Sequence, residues 1–119
     1  MKSNLRSIGT GYEQLAAAYL VNMGFQMVAK NQYTPFGEVD IIMEKDGALY
    51  FVEVKYRSNQ NYGTARDSIT SLKLKRLKKS VSYLLKGKYS GYNVYSISFL
   101  GIEMQDKELT YDFIDNIFS

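Results

Sequence analysis

The run GEVDIIMEKDGALYFVEVK, residues 37 to 55, most constrains the fold. Two β-rich segments, GEVDIIME and ALYFVEVKY, flank Asp46-Gly47, the dipeptide that best favours a two-residue hairpin turn. Val39, Ile41, Val52 and Val54 on one face and Ile42, Leu49 and Phe51 on the other predict a hairpin buried on both sides, as in strands near the centre of a sheet. Yet these strands also carry Glu38, Asp40, Glu53 and Lys55. Desolvating a charge is costly, so carboxylates in such strands need partners.

Register says what those partners could be. With Asp46 and Gly47 as the loop, Lys45 faces Ala48, and counting outward sets Asp40 opposite Glu53 and Glu38 opposite Lys55. Side chains alternate along a strand, so all four project from one face. Directly opposed β-carbons lie roughly 4.5–5.5 Å apart, and like charges there are destabilising. A divalent cation between Asp40 and Glu53 would turn that defect into a site. The competing explanation pairs Glu53 with Lys55 or another base at an exposed strand end.

Composition limits the chemistry available. The chain has 119 residues, 45% hydrophobic and one proline, which predicts a single domain over residues 1–119 with one real core. With no cysteine and no histidine, thiolate and imidazole ligands, disulfides and a histidine base are excluded. A metal here would be hard and oxygen-ligated, magnesium or manganese. The segment MKSNLRSIGTGYEQLAAAYLVNMG has helical apolar spacing interrupted by Glu13, Gln14 and Asn22, so neither a signal peptide nor a membrane span is expected, and the cytoplasm is the default location.

Leu5, Ile8, Tyr12, Leu15, Ala16, Tyr19 and Met23 recur at the spacing of an amphipathic helix ended by Gly24. A strand FQMVAK and the hairpin follow. RDSITSLKLKRLKKSVSYLLKG predicts a second helix with apolar positions at Ile69, Leu72, Leu77, Val81 and Leu84, and YNVYSISFLG and ELTYDFI predict two closing strands. The order is α-β-β-β-α-β-β, an α/β domain with a mixed central sheet flanked by helices.

Charge is unevenly spread. Residues 66 to 88 hold eight of the fifteen basic residues against one acid, Asp67. Such a stripe suggests a polyanionic partner, usually nucleic acid, although a solvated helix face is an equal alternative. Arg57 and Lys73 are the nearest candidates for phosphate contact, with Lys75, Arg76 and Lys79 extending the same helix. Tyr12, Tyr19 and Tyr83 sit at helical core spacing and are read as packing rather than as base-stacking groups.

An acid on one strand followed by Glu-x-Lys on its neighbour, here Asp40 and Glu53-Val54-Lys55, resembles the PD-(D/E)xK nuclease superfamily with its restriction-endonuclease-like fold. More narrowly, GYEQLAAAYLVNMGFQMVAKNQYTPFGEVDII joined to LYFVEVKYRS resembles the YraN-like bacterial family, from about Gly9 to about Tyr83. The resemblance implies that Asp40 and Glu53 bind a metal with the Val54 carbonyl as a third ligand. It implies that Lys55 orients or polarises the attacking water, and that Glu13 completes the metal shell from the first helix. A salt-bridged or solvated Glu13 is the competing reading, and Glu38 could serve only as the partner of Lys55. The family pattern Arg-Phe-Asp after the second helix is replaced here by Gly91-Tyr92-Asn93.

Two readings follow. In the first, the chain is a magnesium- or manganese-dependent nuclease hydrolysing nucleic-acid phosphodiesters, DNA ahead of RNA, by analogy on branched or damaged structures. In the second, it is a non-catalytic nucleic-acid-binding or assembly module that keeps the fold. A purely structural role leaves Asp40 opposite Glu53 without a reason. No membrane partner is expected.

Overall fold

The computed structural model describes residues 5–58 and 65–117, the first six of these by backbone alone. The elements run α1 (Leu5–Asn22), β1 (Gln26–Thr34), β2 (Gly37–Lys45), β3 (Ala48–Arg57), a 3-10 turn at Arg66–Ser68, α2 (Ser71–Lys86), β4 (Tyr95–Gln105) and β5 (Glu108–Ile114). The five strands form one sheet in sequence order, antiparallel except for the parallel β3–β4 pair, which α2 connects. The expected element order and mixed sheet are therefore found. No helix among the described residues is long and apolar enough to cross a membrane.

Each sheet face carries one helix. Ala16 and Leu20 of α1 pack with Phe25, Ile41, Met43, Val52, Val54, Leu100 and Ile102. On the other face Leu77, Val81 and Leu84 of α2 pack with Val39, Ile42, Leu49, Phe51 and Ile97. Burial of β2 and β3 on both faces explains their near-continuous apolar sequence.

Local chemistry sets the boundaries. Helix α1 ends in a Schellman arrangement, with the Gly24 N–H donating to the Val21 carbonyl and the Phe25 N–H to the Leu20 carbonyl, and Gly24 takes φ +98°. A β-carbon at Gly24 would meet only the Lys45 side chain, at 3.5 Å, so the cost of replacing it is conformational. Gly24→Ala is expected to destabilise by about 1 kcal/mol, seen as a fall of roughly 4 °C in Tm by thermal melting. Asp46 and Gly47 take φ +52° and +81°, the two left-handed positions of a tight hairpin turn.

Several expectations needed correction. The second helix starts at Ser71 rather than Arg66, because the Thr70 hydroxyl accepts from the Lys73 N–H and caps it. Among the described side chains of α1, Leu20 rather than Leu15 is the buried leucine, and Leu15, Met23, Leu72 and Tyr83 are exposed. Tyr12 and Tyr19 do pack, stacked on Tyr56 and Tyr111 with centroids 3.6 and 4.3 Å apart.

Candidate functional site

The hairpin register runs as expected from Lys45–Ala48 to Ile41–Val52 and then stops. Beyond it, the Asp40 carboxylate takes the place of backbone pairing, its Oδ2 accepting from the Val54 N–H at 2.8 Å. Glu38 therefore does not face Lys55 in a ladder, a correction to the simple count; its partner is Tyr33 of β1. The break is visible in packing too. Val39 and Ile41, two apart, bury on opposite faces, and the adjoining β1 residue Asn31 takes φ +50°. Strands β2 and β3 thus separate at Asp40.

Asp40 and Glu53 meet at this opening and share a hydrogen bond. Burial, then the Glu53 charge, pushes Asp40 up to about 7, despite the Val54 N–H acting the other way. Glu53 is also raised, chiefly by burial, while Asp40, Lys55 and Lys73 pull against the shift. Both shifts favour a proton held between the two carboxyl groups, while Lys55 and Lys73 favour the charge on Glu53.

The lysines come from two elements. Lys55 follows Glu53 by two residues on β3, and Lys73 reaches in from the first turn of α2, within hydrogen-bonding reach of Lys55. Burial and Lys55 lower the Lys73 pKa, while Glu53 and Asp40 act oppositely. Glu38, Glu53, Lys55, Lys73 and Arg76 line a cleft of about 190 Å³ between β3 and α2. Ser68 and Ile69, just before α2, also line it. Lys73 was expected only as a candidate phosphate contact, and its place beside the carboxylates was not anticipated. Its signal is its spacing, because it continues the buried stripe Leu77, Ser80, Val81 and Leu84 of α2.

The remaining residues divide. Glu13 projects from α1 towards the opening and feels Asp40 and Glu38, and its pKa is raised, by burial first. With its amide turned to donate, Asn31 Nδ2 lies 3.1 and 3.3 Å from the Glu13 oxygens. Among the described residues no three histidines, cysteines or acids gather closely enough to enclose an ion by themselves. Arg57 ends β3 beside Glu103 of β4 and is not part of the cleft lining. Lys75 and Lys79 are exposed on α2, Lys79 over the Phe36 ring at 5.9 Å. Gly91-Tyr92-Asn93 lies before β4, where the Tyr92 hydroxyl donates to Glu44 near the hairpin turn, at the opposite end of β2 from Asp40. The missing acid there does not touch the carboxylate pair.

Residues 12–114 match the model of the family described as Uncharacterised protein family UPF0102. The chain belongs to that family. A UPF0102 protein of Vibrio parahaemolyticus is 35% identical over 114 residues, covering 96% of this chain and 93% of the relative. Another, from Syntrophomonas wolfei, is 33% identical over 113 residues, covering 95% and 98%. A third, from Neisseria gonorrhoeae, is 44% identical over 78 residues, covering 66% and 68%. The UPF0102 match spans Glu13, Asp40, Glu53, Lys55 and Lys73.

Proposed function

We propose that this UPF0102 protein has a restriction-endonuclease-like fold and is a metal-dependent nuclease, hydrolysing phosphodiester bonds in nucleic acid with DNA favoured over RNA. The observation that carries this is the buried, hydrogen-bonded pair Asp40–Glu53 with two lysine side chains at its edge. A structural ion pair needs neither two touching carboxyls nor two cations crowded together. Both features suit a site that receives a divalent cation and a phosphate.

The donor set fits magnesium or manganese. Two carboxyls that hold a proton between them offer oxygen ligands only, and a cation in place of that proton would satisfy the same charge. Asp40, Glu53 and the Val54 carbonyl would hold it, with Glu13 in support from α1. When bound, such an ion supplies Lewis acidity at a phosphoryl oxygen and a water of lowered pKa, so no histidine is required. The chain's own cations do the rest. Lys55 and Lys73 meet the negative charge that builds on the phosphoryl group, and Arg76 on the cleft wall orients the strand.

The test is incubation of purified protein with single-stranded, duplex, flapped and four-way DNA, in magnesium, manganese or EDTA. Cleavage that depends on metal and is lost in Glu53→Gln supports the nuclease. Binding without cleavage under every condition supports the non-catalytic module instead, a reading favoured by the hold of Asn31 on Glu13. Affinity should also fall with salt. Replacing Lys73, Lys75 and Lys79 by Gln is expected to weaken duplex binding and lower the slope of log K against log salt by about 2 to 3. An unchanged affinity between low and moderate salt would make the basic helix a solubility feature only.

A further inference from the structure

The tip of the β1–β2 hairpin holds a large apolar ring in water beside the cleft. Phe36 is 45% exposed, and Tyr83 of α2, which meets it edge to face with centroids 6.2 Å apart, is 50% exposed. Together these rings form an apolar patch that folding alone does not call for.

The tip is pinned. The Thr34 hydroxyl accepts from the Phe36 N–H at 3.1 Å and lies 2.8 Å from the Gly37 carbonyl oxygen and 2.9 Å from the Ser80 hydroxyl. Ser80 is itself buried on α2, so this bond ties the hairpin tip to the helix. Phe36 lines the same cleft as Glu53, Lys55, Lys73 and Arg76, and Lys79 stands over its ring. A pre-set aromatic surface among cations matches a base and its phosphate better than an apolar protein surface.

We propose that Phe36 and Tyr83 form a stacking platform for an unpaired base at the mouth of the cleft. The preferred nucleic acid then has unstacked bases beside the phosphate in the cleft: a single strand, a flap or a branch point. Inside an uninterrupted duplex every base face is already covered by its neighbours. The inference rests on the reading of the cleft as a nucleic-acid site.

Fluorescence anisotropy in EDTA, where no turnover occurs, tests the platform separately from cleavage. The probes are a single strand, a flap with 2-aminopurine at the unpaired position, and a matched uninterrupted duplex. Wild type is expected to bind the flap more tightly than the duplex and to change the 2-aminopurine signal. Phe36→Leu keeps apolar bulk at the tip but removes the ring, and is expected to weaken flap binding roughly five- to fiftyfold while leaving duplex binding within about twofold. Phe36→Trp should restore it. Thermal melts of both variants establish that they fold. Equal affinity for flap and duplex, untouched by Phe36→Leu, overturns the platform and leaves the nuclease reading standing. No binding to any probe at low salt overturns both. If Phe36→Leu instead dissociates a self-associated form without changing DNA binding, the patch is a protein contact and the platform is refuted.

Discussion

The metal-free protein is expected to gain stability as pH falls from about 8 to about 5, and Asp40→Asn to remove most of that gain. The sign follows from the raised carboxyl. Folded Asp40 titrates at about 7, against about 3.9 in an unfolded chain, so between these values the folded state binds a proton that the unfolded chain does not. The contribution is complete below the unfolded pKa and is lost as pH rises through the folded one. It amounts to something on the order of 3 kcal/mol, or about 10 °C in Tm for a domain of this size. Asparagine at position 40 can still accept from the Val54 N–H and donate to Glu53 without ionising, so the variant should be more stable than wild type at about pH 8 and nearly level with it at about pH 5. Glu53→Gln should likewise leave the metal-free protein at least as stable as wild type. A structural salt bridge predicts the reverse, since Lys55 and Lys73 would then lose a buried partner. Manganese adds a second arm: at a hundredfold excess over its Kd it should stabilise wild type by about 2.7 kcal/mol and either variant by much less. A destabilised metal-free Glu53→Gln, combined with no manganese shift in wild type, would sink the metal site.

Legibility divides along the same line as local and tertiary physics. The hairpin register could be counted from Asp46-Gly47 because turn conformation and side-chain alternation are properties of consecutive residues. The count held as far as Ile41–Val52 and failed at Asp40, where the side chain captures the Val54 N–H and the ladder stops. That capture opens a gap in which Asp40 and Glu53 can meet, and nothing in either strand alone announces it. Lys73 shows the same limit. Its four-residue spacing to Leu77 can be counted along the sequence, but its nearness to Glu53 depends on how α2 crosses β3. The exposure of Leu72 and Tyr83 escaped periodicity for a related reason: a helical spacing says which residues share a face, not how far the covering sheet extends. Phe36 lies outside any periodic run, and only the Thr34–Ser80 link shows that its exposure is held in place.

Cleavage activity is expected to fall at least about a thousandfold in Glu53→Gln and in Asp40→Asn, and about a hundred- to a thousandfold in Lys55→Ala. The two acids form one hydrogen-bonded unit, so the double variant Asp40→Asn/Glu53→Gln should be little worse than either single change, as expected of groups that act together. Lys73 stands apart from that unit by element and by sequence, yet lines the same cleft as Glu53 and Lys55. Lys73→Gln is therefore expected to lower activity about ten- to a hundredfold, additively with a distant change such as Gly24→Ala but not with Lys55→Ala. If the cleft receives a phosphate as proposed, the acid variants should retain DNA affinity, or improve it, because removing a carboxylate in or beside the cleft lessens repulsion; Lys55→Ala and Lys73→Gln should weaken it. This split between binding and turnover distinguishes a nuclease from a binding module, since a module has no step in which losing an acid helps binding and abolishes a reaction. Cleavage that survives in Glu53→Gln at the wild-type rate, in a protein whose melt shows it folded, would place the reaction elsewhere and overturn the role given to the carboxylate pair.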